Sequence, residues 1–295
     1  MNYQEEPLRI DCAGETLFGI LARPQQAAES GIVVVVGGPQ TRVGSHRQFV
    51  LLSRTLAAGG YATLRFDHRG MGDSTGEPRD FEAIGTDIGA AIDALQSACP
   101  AVKKILLWGL CDAAAASLLY WDESRDQRIA GLCLLNPWVR SETTLARAQV
   151  KHYYGQRLMQ KEFWVKLLRG QLNVAHAVAG LLGKLKLAAA RVGSAGEENL
   201  GFQDRMARAL RDFSGGVLLL LSENDYTAKE FLEYAAMADS WQGILTRGNL
   251  KRVDIPDADH TFSSATARTR VAESCRDWIE TGSLLASSGR GALPR

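Results

Sequence analysis

The chain has 295 residues, 46% of them hydrophobic and 23% charged, with a formal net charge of +1. That length suits one large domain, or one domain carrying an insertion, and the near-neutral charge removes any global electrostatic reason to bind nucleic acid. The start MNYQEEPLRIDCAGETLFG lacks an apolar signal core, no apolar run reaches membrane-spanning length, and the five scattered cysteines form no CxxC pair, so the expectation is a reducing cytoplasmic setting without a disulfide framework or zinc site.

In chain order, LRIDC (8–12) and ETLFGILAR (15–23) alternate in polarity and are joined by a short turn, which predicts an antiparallel hairpin at a sheet edge. IVVVVGG (32–38), ATLRFD (62–67), KILLWGL (104–110), GLCLLN (131–136) and VLLLLS (217–222) are nearly continuous apolar runs. Strands covered on both faces have this composition, and KRVDIP (251–256) closes the series. Between them HRQFVLLSRTLAAGG, DFEAIGTDIGAAIDALQSA and DAAAASLLYWD carry helical periodicity, and TFSSATARTRVAESCRDWIETG ends the fold as a helix. Strand and helix alternate, so the fold class is α/β with a doubly wound, mostly parallel central sheet. The alternation breaks over 140–211, where amphipathic helical patterns predict an inserted helical lid whose first part is rich in Lys and Arg. The expected organisation is therefore a core of 1–139 and 212–283, a lid of 140–211 and a loose tail of 284–295.

The chemistry concentrates where strands end. Gly109-Leu110-Cys111-Asp112-Ala113 has the small-x-nucleophile-x-small form of a strand–turn–helix elbow, with Cys111 at the tip. A thiol there needs a base, and the base needs an orienting group. Asp225, just past VLLLLS, and His260, in DIPDADHTF, lie beyond later strands, at the sheet edge where open α/β folds build their sites. The order Cys111, Asp225, His260 is the nucleophile–acid–base order of one such fold. Taken singly, each residue has a plainer reading: a buried cysteine, a helix N-cap and a surface-loop histidine. For the oxyanion, the turn Gly37-Gly38-Pro39-Gln40 offers backbone N–H groups; Pro39 has none, so Gly38 or Gln40 is the expected donor beside Asp112. His46 and Trp138 are candidate substrate contacts, with a helix-start role as the alternative for His46. No two histidines have metal-ligand spacing, and neither metal nor cofactor is expected.

At these residues the chain resembles the α/β-hydrolase superfamily over nearly its whole length. GLCDA is similar to the nucleophile elbow, VGGPQ to the oxyanion turn, RFDHRGMGDSTGE to the D-x-R-G-x-G-x-S stretch, and SEND and DADHTF to the acid and histidine loops. The resemblance implies an α/β-hydrolase fold in which Asp67, Arg69, Gly70, Gly72 and Ser74 shape a loop, and a cysteine nucleophile as in the dienelactone-hydrolase branch. VVVGGPQTRVGSHRQF, WGLCDAAAASLLY and LLNPWVRSE further resemble the exosortase-A-system-associated hydrolases of type 1. This implies a bacterial exopolysaccharide setting and leaves the substrate open. The resulting expectation is ester or thioester hydrolysis of a small-molecule or lipid- or carrier-linked acyl substrate, with peripheral membrane contact through the basic lid as an option. An acyltransferase acting on a sugar or peptide, and a non-catalytic scaffold, are the alternatives.

Overall fold

The computed structural model describes residues 2–140 and 200–281. The amphipathic and basic stretch expected as a lid, with His152 and His176, falls almost wholly outside these residues, as does the tail. The chain divides into two compact units, one of Met1–Trp138 with Phe202–Arg295 and one of Val139–Gly201. The first carries every residue discussed below.

Its frame is an eight-stranded sheet in the order β1-β2-β4-β3-β5-β6-β7-β8. Strands β1 (Tyr3–Cys12) and β2 (Glu15–Pro24) form the antiparallel edge hairpin, in register from Tyr3 opposite Pro24 to Cys12 opposite Glu15. Ala13 and Gly14 turn it with φ of 50° and 86°, the left-handed pair that matches the twist of two antiparallel strands. β2 joins β4 (Thr63–Phe66) antiparallel. From there β3 (Ser30–Val35), β5 (Lys104–Leu110), β6 (Ile129–Leu135), β7 (Gly216–Ser222) and β8 (Leu250–Ile255) continue as parallel neighbours. The apolar runs explain this placement: every residue of β7 and nearly all of β3, β5 and β6 is buried, so these strands need helices over both faces.

The covering helices are α1 (Gln48–Ala58), α2 (Gly85–Ala98), α3 (Asp112–Ser124), α4 (Phe202–Asp212), α5 (Tyr226–Met237) and α6 (Ala265–Glu280). Phe49, Leu52 and Leu56 of α1 share one core cluster with Val271, Cys275 and Trp278 of α6 and with Trp108 of β5. Helix α4 is tied to α3 through the buried Asp122 carboxylate, which accepts from Arg208 Nε at 2.9 Å and Nη2 at 2.7 Å. It belongs to the first compact unit, whereas the sequence pattern had grouped most of it with the insertion.

The loop after β4 is a fixed structure. Asp67, fully buried, accepts from the backbone N–H of Arg42 at 2.5 Å and pairs with the Arg42 guanidinium, joining this loop to the one after β3. Arg69 forms a forked pair with the buried Asp87 of α2, and Ser74 Oγ donates to the Asp67 carbonyl at 2.7 Å. Gly72 sits at φ 55°, where a Cβ would lie 2.1 Å from Asp67 Oδ2, so no larger residue fits. These contacts give Asp67, Arg69, Gly72 and Ser74 a shaping role beside the site.

Candidate active site

The parallel strands all point their carboxyl ends to one edge, and the candidate residues assemble there. β5 runs straight into Cys111, which adopts φ 63° and ψ −122°, and α3 begins at the next residue. A non-glycine residue in that region is strained by roughly 1–3 kcal/mol and persists only when its surroundings over-determine it. Here the surroundings are visible. The Cys111 N–H donates to the Leu135 carbonyl at 2.8 Å, and its own carbonyl accepts from the N–H of Trp138 at 3.2 Å and of Ala114 at 3.1 Å. The flanking small residues have a reason too. A Cβ on Gly109 would lie 2.5 Å from the carbonyl carbon and oxygen of Ala113, so the helix can cross the strand only over glycine. Among the five free cysteines Cys111 alone is partly exposed; Cys12, Cys99, Cys133 and Cys275 are buried.

Asp225 follows β7 and caps α5, its Oδ1 accepting from Thr227 N–H at 3.1 Å and its Oδ2 from Ala228 N–H at 3.2 Å. The same Oδ2 lies 2.8 Å from His260 Nδ1. Cap and partner are thus one carboxylate performing two tasks, since each oxygen has lone pairs for more than one donor. Burial alone would raise the Asp225 pKa, but the hydrogen bond and charge of His260, with the two capping N–H groups, hold the carboxyl below its ordinary value. His260, half-buried, faces Cys111 as well as Asp225. The hydrogen bond to Asp225, then that to Cys111, outweigh burial and raise its pKa to about 10. With Nδ1 committed to Asp225, Nε2 is the ring nitrogen left for sulfur.

The loop that carries His260 is held by a buried polar lattice that the sequence reading did not single out. Asn136, at φ 42°, donates from Nδ2 to Ser222 Oγ at 2.9 Å and to the His260 carbonyl at 3.1 Å, while its Oδ1 accepts from Ser222 N–H at 2.9 Å. Ser222 Oγ donates onward to the Asp259 carbonyl at 2.9 Å. Asp259 in turn gathers the N–H groups of Thr261 (3.1 Å) and Ser263 (2.9 Å). The available sign was a polar residue ending an otherwise apolar strand, in LLN and LLLLS. Such a group is fully desolvated and must find partners.

On the other flank, the loop after β3 comes close to the start of α3. A Cβ on Gly37 would lie 2.7 Å from the Ala113 nitrogen, so glycine is required there. The Gly38 N–H donates to Asp112 Oδ2 at 2.7 Å, and the Gln40 N–H turns back to the Gly37 carbonyl at 3.4 Å. Each of the two alternative loop donors, Gly38 and Gln40, is therefore bonded within the protein. The Gln40 side chain accepts from Ser45 N–H and from Gln48, bracing the loop. His46 is exposed on a single turn before α1, and Trp138, half-buried, reaches the elbow through its backbone. His68 is buried, its Nδ1 3.2 Å from the Arg69 carbonyl. Among the described residues no group of three or more His, Cys, Asp or Glu could hold a metal, and no helix is long and apolar enough to cross a membrane.

A model of the alpha/beta hydrolase family matches residues 32–274. Human Protein ABHD12B is 36% identical over 78 residues, which cover 26% of this chain and only 20% of that protein. Among solved structures, the Pyrococcus furiosus esterase Pf2001 is 16% identical with a TM-score of 0.60, covering 94% of each chain. A dienelactone hydrolase from Anabaena variabilis is 16% identical with a TM-score of 0.60, over 95% of this chain and 99% of its own. The ferulic-acid-bound Est1E of Butyrivibrio proteoclasticus is 18% identical with a TM-score of 0.59, over 95% and 100%. At such identities the likeness is one of fold.

Proposed function

Since this chain belongs to the alpha/beta hydrolase family, we propose that it hydrolyses an ester or thioester through an acyl-thioenzyme on Cys111. The observation that carries this reading is the chain of contacts from the Asp225 carboxylate to His260, 2.8 Å away, and from His260 to the strained Cys111 thiol. In this reading His260, whose pKa is raised to about 10, takes up the Cys111 thiol proton, so that sulfur attacks as a thiolate beside an imidazolium.

The thiolate adds to the substrate carbonyl carbon, forming the C–S bond and sending the π pair to oxygen. As the carbonyl re-forms, the bond to the leaving group breaks, and His260 gives that alkoxide or thiolate its proton. Neutral His260 then takes a proton from water as the water oxygen attacks the thioester carbonyl. Collapse of this second adduct releases the carboxylic acid and returns the thiolate–imidazolium pair. Asp225 keeps Nδ1 protonated and the ring turned toward sulfur throughout. The Pyrococcus furiosus esterase and the dienelactone hydrolase among the similar folds support the reaction class.

For the substrate, the resemblance to exosortase-A-system-associated hydrolases of type 1 supports an acyl group carried on a lipid or carrier in bacterial exopolysaccharide assembly, met in the cytoplasm. The test is intact-protein mass spectrometry after exposure to neutral activated esters and thioesters. We expect an acyl adduct on Cys111 that is absent from Cys111→Ala. A Cys111→Ala protein with undiminished turnover would overturn the reading.

A further inference from the structure

The residue after Cys111 carries a carboxylate that is bonded across to the loop after β3. Asp112 Oδ2 accepts from the Gly38 N–H at 2.7 Å, and Oδ1 accepts from the Ala113 N–H at 3.0 Å. An oxyanion cradle beside Cys111 has to be built from the N–H following the nucleophile and one from the loop after β3. Those would be the Asp112 N–H and that of Gly38, and the Gly38 N–H is taken by the Asp112 side chain. The fit is close: a Cβ on Gly37 would come within 2.0 Å of Asp112 Oδ1. The carboxylate therefore lies against the loop backbone, at a residue that is partly exposed.

A helix N-terminus attracts any carboxylate in its first turn, and the contact to Ala113 alone would be an ordinary case of that. The contact to Gly38 is different. It crosses 74 positions of sequence to a glycine at φ 58° whose N–H the fold turns toward the elbow. Nor is the position comfortable for the charge. Burial pushes the Asp112 carboxyl above its ordinary value, against the pull of Gly38, Ala113, its own N–H and the nearby His68. An acceptor held by good hydrogen bonds in a site that resists its charge can be displaced by another acceptor of the right shape.

We propose that the Asp112 side chain is an intramolecular occupant of the oxyanion cradle, which competes with the substrate carbonyl and must swing out before Cys111 can be acylated. This rests on the reading of Cys111 as nucleophile and adds a selection step to it. A small activated ester brings little binding energy and reacts slowly with the occupied cradle. A substrate with further contacts uses part of that binding to expel the carboxylate, so Asp112 selects for substrates anchored away from the carbonyl.

The test separates the thiol from the cradle. Alkylation of Cys111 by iodoacetamide develops no tetrahedral oxyanion, whereas acylation by p-nitrophenyl acetate does, and both reagents are neutral. Removing a nearby negative charge alters thiolate reactivity toward both, so the quantity to read is the ratio of the acylation to the alkylation rate constant. For Asp112→Ala the ratio should rise at least about tenfold over wild type, as expected when oxyanion donors are set free. For Asp112→Asn, which keeps a neutral acceptor of the same shape, it should rise less. A ratio unchanged or lowered in both variants, with alkylation intact, overturns the proposal and leaves the nucleophile standing. If Cys111 is neither alkylated nor acylated in wild type or in either variant, the nucleophile reading fails, and this one with it.

Discussion

The β1–β2 hairpin and the carboxyl edge of β5–β8 solve the same folding problem differently. In the hairpin ten residue pairs run in unbroken register, and the left-handed residues Ala13 and Gly14 serve only to turn the chain. Its side chains bind outward partners such as Arg23 to Glu6, each more than a third exposed. At the carboxyl edge, Cys111, Asn136, Asp257 and Phe262 all sit at positive φ, between 42° and 63°. Asn136 and Ser222 there are buried, bonded to each other across two strands and to the backbone carbonyls of the His260 loop. Strain in the hairpin is spent on direction. At the edge it holds a thiol, a carboxylate and an imidazole within reach of each other, and the buried strands β5, β6 and β7 beneath supply the energy to keep them there.

That contrast can be pressed hardest at Cys111. Cys111→Gly should lower turnover on the order of 10^3-fold or more, while relief of its backbone strain, less the entropy of a freer unfolded chain, should raise stability by about 1 kcal/mol. Chemical denaturation alongside an ester assay reads both, and a variant that loses stability as well as activity would break the claim that strain is held for function. A smaller effect comes from pH. His260 binds its proton more tightly folded than unfolded, with a pKa of about 10 against an unfolded value near 6.5. Its contribution to stability is thus complete below about pH 6.5 and fades as pH rises toward 10. Denaturation midpoints at pH 6.5 and 9.5 should fall more in wild type than in His260→Gln; parallel falls would mean that the folded site does not hold the proton. Smallest of all is the hairpin. Glu6→Gln breaks an exposed pair and should cost less than about 1 kcal/mol with turnover unchanged. A larger loss there would erase the distinction between the two regions.

Much of the edge was legible in the sequence because it is written in local terms. GLCDA, SEND and DADHTF each follow an apolar run, and a strand that ends on a chemically active residue can be recognised one segment at a time. Asp225 was readable both as an N-cap and as the partner of His260, and the geometry makes it both. Asn136 and Ser222 were not singled out, because a lone Asn or Ser at a strand end has no local signature. Their meaning lies in each other, 86 positions apart. The same holds for Asp112. In the sequence it is a helix-starting residue whose N–H was expected to serve the oxyanion, and its carboxylate acquires a role only because the fold brings Gly38 to it.

By itself the sequence determined the alternation of strands and helices, the edge hairpin, the elbow at Cys111 and the order of the three candidate groups, since hydrophobic period and glycine placement act over a few residues. Only the tertiary structure decided that His260 meets both Asp225 and Cys111, that Asn136 and Ser222 hold its loop, and that the Asp112 carboxylate takes the Gly38 N–H. Those facts depend on hydrogen bonds between strand ends distant in the chain, and their geometry is set by the packing of the whole sheet.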